Sequence, residues 1–204
     1  MARFPASILV FPLAAALWAQ SVPSSSSKPP ARESSSLPEA GAISAGVYRN
    51  STFGFSYKLP YGWVDRTAVM QDDTGDTSKS RVLLAIFERP PEATGNTVNS
   101  AVVIVAEPLS AGIKTAAEYF ESLSSLTTSK GFQAEEESRE FSVGTAKLVR
   151  GDFSQARGTL TMHQTSLVRL EKGYAISFTF IGGSADEISE LIEKLGFATR
   201  KQAH

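Results

Sequence analysis

Apolar and polar residues alternate strictly from Phe53 to Leu59, with Phe53, Phe55, Tyr57 and Leu59 in one phase and Gly54, Ser56 and Lys58 in the other. A period of two sends each set to its own side of an extended chain, so the stretch predicts a strand with one buried face. Pro60 has no amide hydrogen and biases Leu59 toward extended backbone, which ends the ladder there. A turn with Pro60 second and Gly62 fourth then brings Trp63 back over the strand end, as a core aromatic rather than an exposed docking one. Runs at 81–88 (RVLLAIFE) and 98–107 (VNSAVVIVAE), separated by the turn-rich RPPEATGNT, read as neighbouring buried strands.

The period becomes helical at Thr115. Thr115 and Glu118 have the T-x-x-E spacing of a capping box, and Ala116, Ala117, Phe120, Leu123 and Leu126 follow at helical intervals. Gly131 supplies a left-handed stop, with Phe132 placed to pack back on Leu126. Alternation returns at 140–153, 159–170 and 174–182, where Tyr174, Ile176, Phe178 and Phe180 share a phase; connections this short predict an antiparallel meander. A second helix follows, with Ser184 and Glu187 at capping-box spacing, a stripe of Ile188, Leu191, Ile192 and Leu195, and a second Gly-Phe stop at Gly196 and Phe197. Strands joined by short turns and covered by two helices define an α+β class, an antiparallel sheet with helices packed on it.

The first 45 residues break from this patterning. Residues 1–19 carry one positive charge, Arg3, then an apolar run from Ile8 to Trp18 and a small residue, Ala19. That is the layout of a secretory signal peptide, and the run falls short of the roughly 20 apolar residues of a spanning helix. Residues 20–45 are rich in Ser and Pro and nearly free of bulky apolar side chains, and read as a disordered linker. The globular domain is expected over 46–198 and a short tail over 199–204. The protein is therefore expected to be exported, to the periplasm or the extracellular space, with no membrane insertion once the leader is cleaved.

Charge and composition narrow the chemistry. The 204 residues include 20 Lys and Arg against 21 Asp and Glu, so no basic excess points to nucleic acid as a partner. There is no cysteine, which removes disulfides, thiolate metal sites, a cysteine nucleophile and a lipidated cysteine anchor. The sequence has no G-x-S-x-G and no phosphate-cradling glycine loop, and it implies no cofactor. His163 stands with Thr161 and Thr165 on a polar strand face and reads as a solvated or hydrogen-bonded histidine. Asp72, Asp73 and Asp76 surround a glycine and are weak candidates for a metal, calcium by their oxygen chemistry. An EF-hand loop counted from Asp72 would need glycine and glutamate where Thr77 and Leu83 stand. Glu135 to Glu137 read as a solvated entry to a strand, since consecutive strand residues point to opposite faces. Asn50 satisfies the N-glycosylation spacing.

The segment Phe53 to Trp63, an aromatic strand running into a proline with a tryptophan three residues on, resembles the start of PsbP proteins, extrinsic subunits of photosystem II. The same α/β/α sandwich is shared by nuclear Ran-binding Mog-type proteins and bacterial exported relatives, and the order of elements over 47–198 is compatible with it. The resemblance implies a non-catalytic accessory or binding role and brings no catalytic residues with it. No manganese or calcium ligands match, so the photosystem role is not carried over. The expected function is an exported binding or assembly module acting on an extracytoplasmic protein partner through a surface. Two alternatives make different demands: a metal-assisted hydrolase needs Asp72, Asp73, Asp76 and His163 to converge, and an apolar-ligand carrier needs Phe53, Phe55, Tyr174 and Phe178 to line a cavity.

Overall fold

The computed structural model describes residues 37–74, 79–90, 92–93 and 95–198. In it the chain runs through β1 (Ala42–Ser44), β2 (Val47–Asn50), β3 (Phe55–Lys58), β4 (Val64–Asp65), α1 (Thr67–Asp73), β5 (Arg81–Phe87), β6 (Ala101–Pro108), α2 (Ala116–Ser129), β7 (Gln133–Ala134), β8 (Arg139–Val143), β9 (Ala146–Arg157), β10 (Leu160–Glu171), β11 (Tyr174–Gly182), α3 (Ala185–Ile192) and β12 (Leu195–Phe197). An eight-stranded antiparallel sheet has the order β4-β5-β6-β11-β10-β9-β7, with β8 also on β9, and a four-stranded sheet has the order β1-β2-β3-β12. The expected meander is β9-β10-β11, with Leu167 opposite Phe178 and Thr165 opposite both Phe180 and Asp152. Because β11 lies inside the sheet, both its phases are buried: Ile176, Phe178 and Phe180 on one side, Ala175, Ser177 and Ile181 on the other.

Each face of the large sheet has its own cover. On one side α3 and the four-stranded sheet share a layer and enclose the main core, where the Phe55 ring meets Phe178 edge-on at 5.1 Å and Phe53 meets Tyr174 at 5.7 Å. The four aromatics that could have walled a carrier's cavity are thus packed against one another. Trp63, half-buried, rests on the same core as expected. On the other side α2 presses Phe120 onto Phe153, in a cluster that Phe132 and Val168 complete.

The α2 capping box forms in full: Thr115 Oγ1 accepts from the Glu118 amide at 3.2 Å, and the Glu118 carboxylate accepts from the Thr115 and Lys114 amides at 3.1 and 2.7 Å. Those backbone bonds hold the Glu118 carboxyl below its ordinary pKa. Thr115→Ala removes one arm and is expected to cost about 1 kcal/mol, seen as a fall of roughly 2–4 °C in the melting temperature.

Four readings of the sequence are corrected, and one element, α1, was not foreseen. The segment 42–44, expected within the linker, pairs as β1 with β2; Tyr48 Oη donates to the Ala40 carbonyl at 2.5 Å and Asn50 Nδ2 to the Glu39 carbonyl at 3.0 Å, so buried polar groups hold the approach to β1 in place. Residues 1–36, and with them the leader, most of the linker and the tail 199–204, lie outside the described residues. Leu126 is exposed and Thr127 takes its place against the sheet, so Phe132 joins Phe120 and Phe153 instead of packing on Leu126. The last helix stops at Ile192, and Leu195–Phe197 pair with β3 as a strand. At its start Ser184 Oγ accepts from the Glu187 amide at 3.2 Å, but the Glu187 carboxylate turns to the Gly183 amide and the Ser100 hydroxyl, which joins α3 to β6. Finally, α1 had no apolar stripe to announce it and buries no residue. It serves the edge of β5: Thr67 Oγ1 accepts from the Ala85 amide at 2.9 Å and Gln71 Oε1 from the Val82 amide at 2.8 Å, groups a bare edge strand would leave open to another chain.

Candidate functional site

The polar side chains that share the α3 side of the sheet gather at the β9 end. On β9, Leu148, Arg150 and Asp152 are in the inward phase, so two charged groups occupy positions that the strand period assigns to core. Register sets Arg139 of β8 opposite Arg150, a like-charge pair that repels unless an anion bridges it. Asp152 is that anion. Its carboxylate accepts two bonds from Arg150 Nε at 3.0 Å each, lies 2.9 Å from Arg150 Nη2 and 3.0 Å from Arg139 Nη2, and accepts from the Thr165 hydroxyl at 2.6 Å. Burial works to raise the Asp152 pKa, but the Arg150 hydrogen bonds, the Thr165 hydroxyl and the two guanidinium charges outweigh it and hold the carboxyl below its ordinary value. Arg150 also lies over the Phe141 ring at 5.0 Å, which fixes the guanidinium plane.

The rim is acidic. Glu136 pairs with Arg139 at 3.1 Å, and His163 Nδ1 on β10 stands 3.4 Å from Glu135 Oε1. With Ala185 and Ile188 of α3 these groups enclose a cavity of about 140 Å³. That is well under the roughly 300–1,000 Å³ of sites that take a drug-sized molecule. Its charges are matched internally, and a carboxylate held ionised by two arginines is poorly suited to move protons near neutral pH. A larger depression of about 580 Å³, open to solvent, lies between the start of α2 and the β8-β9 hairpin, and its Lys147 and Glu140 pair with each other at 2.6 Å.

The residues singled out from sequence separate. His163 is half-buried and faces Glu135, so its polar strand face is as expected. Asp72 and Asp73 are exposed at the end of α1 beside β5, three strand spacings from β10, or about 14 Å across the sheet. Asp76 lies outside the described residues. A metal-assisted hydrolase built on Asp72, Asp73 and His163 has no common centre, and no group of three metal-ligating side chains occurs among the described residues. Asn50 is buried, donating to the Glu39 carbonyl and to Tyr48 Oη and accepting from the Phe53 amide, so it is spent on the fold and closed to a glycan.

Sequence reasoning missed Arg139, Arg150 and Asp152, whose signal was two charges in the inward phase of a long strand. It also missed Tyr61. In the turn after β3 Trp63 packs inward as expected, while Tyr61, to which the sequence reading gave no role, is fully exposed. The Leu59 amide donates to the Gly46 carbonyl at 2.8 Å and Gly62 takes a left-handed φ of 79°, so the ring projects from a pinned turn.

No family model matches the chain, and no curated protein matches it in sequence. Solved structures do. Cyanobacterial PsbP (CyanoP) from Synechocystis sp. PCC 6803 aligns over 79% of this chain and 99% of its own length, at 12% identity and a TM-score of 0.51. A protein from Bacteroides thetaiotaomicron VPI-5482 covers 78% of this chain and 50% of its own at 13% identity and a TM-score of 0.44. LpqN of Mycobacterium tuberculosis, described as involved in cell envelope biogenesis, covers 71% and 83% at 14% identity and a TM-score of 0.42. At this identity the first likeness speaks to architecture alone, and the α+β sandwich described above has the PsbP-like fold.

Proposed function

We propose that this chain is an exported, non-catalytic binding or assembly module that meets an extracytoplasmic protein through its surface. The observation that carries the reading is Tyr61, a large aromatic held out in solvent by a turn whose backbone is pinned to the β1-β2 hairpin. Rigid aromatics that protrude in this way lose little entropy on burial and are the usual anchors of protein interfaces. The remaining rings of the strand that leads to it are consumed by the core, and the charged cavity is matched within itself. The export half of the proposal rests on the leader-like pattern of residues 1–19 and the Ser/Pro-rich stretch after it.

A photo-crosslinking side chain at position 61, carried by the full chain in its native envelope, tests the proposal. One predominant protein adduct is expected, and Tyr61→Ala is expected to weaken recovery of that protein by about tenfold or more while leaving stability within about 0.5 kcal/mol. Adducts no more abundant than those from a crosslinker at Glu121, on the exposed side of α2, would overturn it.

A further inference from the structure

The outer layer formed by the four-stranded sheet and α3 carries two unmixed blocks of charge. On the sheet, Arg49 and Lys58 are exposed in the outward phase of β2 and β3, opposite the buried Tyr48, Phe55 and Tyr57. Lys194 stands across from Lys58, whose amide donates to the Lys194 carbonyl at 3.0 Å. On α3, Asp186, Glu190 and Glu193 recur at intervals of four and three, which makes one exposed acidic stripe on the side of the helix away from Ile188, Leu191 and Ile192. None of these six groups takes part in an ion pair among the described residues, although the surrounding surface pairs its charges readily. The two blocks meet at the adjacent residues Glu193 and Lys194.

Adjoining patches of opposite sign are complementary to themselves. A two-fold axis through the Glu193–Lys194 junction would lay the acidic stripe of each α3 on the basic sheet face of the other copy, with Lys194 meeting Glu193 of that copy at the axis. Of the outward residues beside the cations, Ser56 and Gly196 are small and Val47, across from Lys58, is of middle size, so a helix could come close to the sheet over β3 and β12. We infer that this face joins two copies of the chain in a symmetric, salt-sensitive dimer. The contact is distinct from the Tyr61 turn and does not depend on it. A generic acidic protein or an anionic membrane would satisfy the cations and be repelled by the stripe beside them, whereas a second copy satisfies both.

Sedimentation velocity of the full chain at low ionic strength reads the result. A dimer is expected whose dissociation constant rises roughly tenfold or more when salt shortens the Debye length from about 30 Å to about 8 Å. Two charge-reversed proteins sharpen the test, one with Arg49→Glu, Lys58→Glu and Lys194→Glu, the other with Asp186→Lys, Glu190→Lys and Glu193→Lys. Each alone is expected to be monomeric, with its circular dichroism and melting cooperativity retained, and their equimolar mixture to form a heterodimer. A monomeric wild type, a dimer that both variants retain, or a mixture that stays monomeric would overturn the inference; so would a monomeric wild type that co-sediments with phosphatidylglycerol vesicles.

Discussion

Gly151→Val is expected to destabilise the protein by about 3 kcal/mol, at the upper end of what overpacking a core costs. Gly151 lies on β9 directly beneath α2, where a Cβ would stand 2.3 Å from Cζ and 2.7 Å from Cε1 of Phe120. The ring has nowhere to go, because it is stacked on Phe153 with centroids 6.3 Å apart and enclosed by Phe132 and Val168. Relief therefore requires α2 to lift from the sheet, which gives up the burial that holds the helix there. The urea midpoint should fall with the slope of the transition unchanged. A double-mutant cycle identifies the cause: in a Phe120→Ala background the obstructing ring is gone, and adding Gly151→Val should cost much less than it does in the wild type. Equal costs in both backgrounds would mean that the ring contact is not what requires glycine at this position.

Gly151 also shows which parts of the structure the sequence made readable. The strands from β9 to β11 carry a period of two over many residues, and short turns fix their order, so their meander followed from pattern alone, whereas the run at 140–153 folds as the β8-β9 hairpin about Gly144. The start of α2 was equally clear, since Thr115 and Glu118 act over three residues of local chain. What depends on partners distant in sequence was hidden. Leu126 and Thr127 are adjacent on a helix, and only the position of β9 and β10 decides which one faces the sheet. Leu195–Phe197 had the letters of a helix stop, yet β3 offered an unpaired edge and the three residues joined it. α1 was invisible for a related reason: its hydrogen-bonding side chains satisfy amides of β5 rather than bury an apolar stripe. The charged site failed in the same way, because nothing local says that Asp152 will lie across from Thr165 or that Arg139 will lie across from Arg150.

That dependence makes Asp152 the second sensitive point. Asp152→Ala is expected to cost about 3 kcal/mol, because it leaves the Arg150 guanidinium, with only 17% of its side chain exposed, facing Arg139 without the anion that both share. Lost packing alone would be independent of pH, and the charge account is not. The folded carboxyl titrates below its ordinary value of about 3.9, so its contribution is complete above that value and is lost as pH falls through the lower, folded one. The difference in urea midpoint between wild type and Asp152→Ala should therefore hold steady from about pH 7 down to about pH 5, then shrink below about pH 4 as the wild-type carboxyl is protonated and its arginines are left equally unbridged. Asp152→Asn, which keeps the shape and can still hydrogen-bond Thr165, should lose most of the same stability at neutral pH, since an amide cannot balance two cations. A difference that persisted undiminished to about pH 2, or an asparagine variant as stable as wild type at pH 7, would show that Asp152 is held for its shape and that the arginine pair does not need its charge.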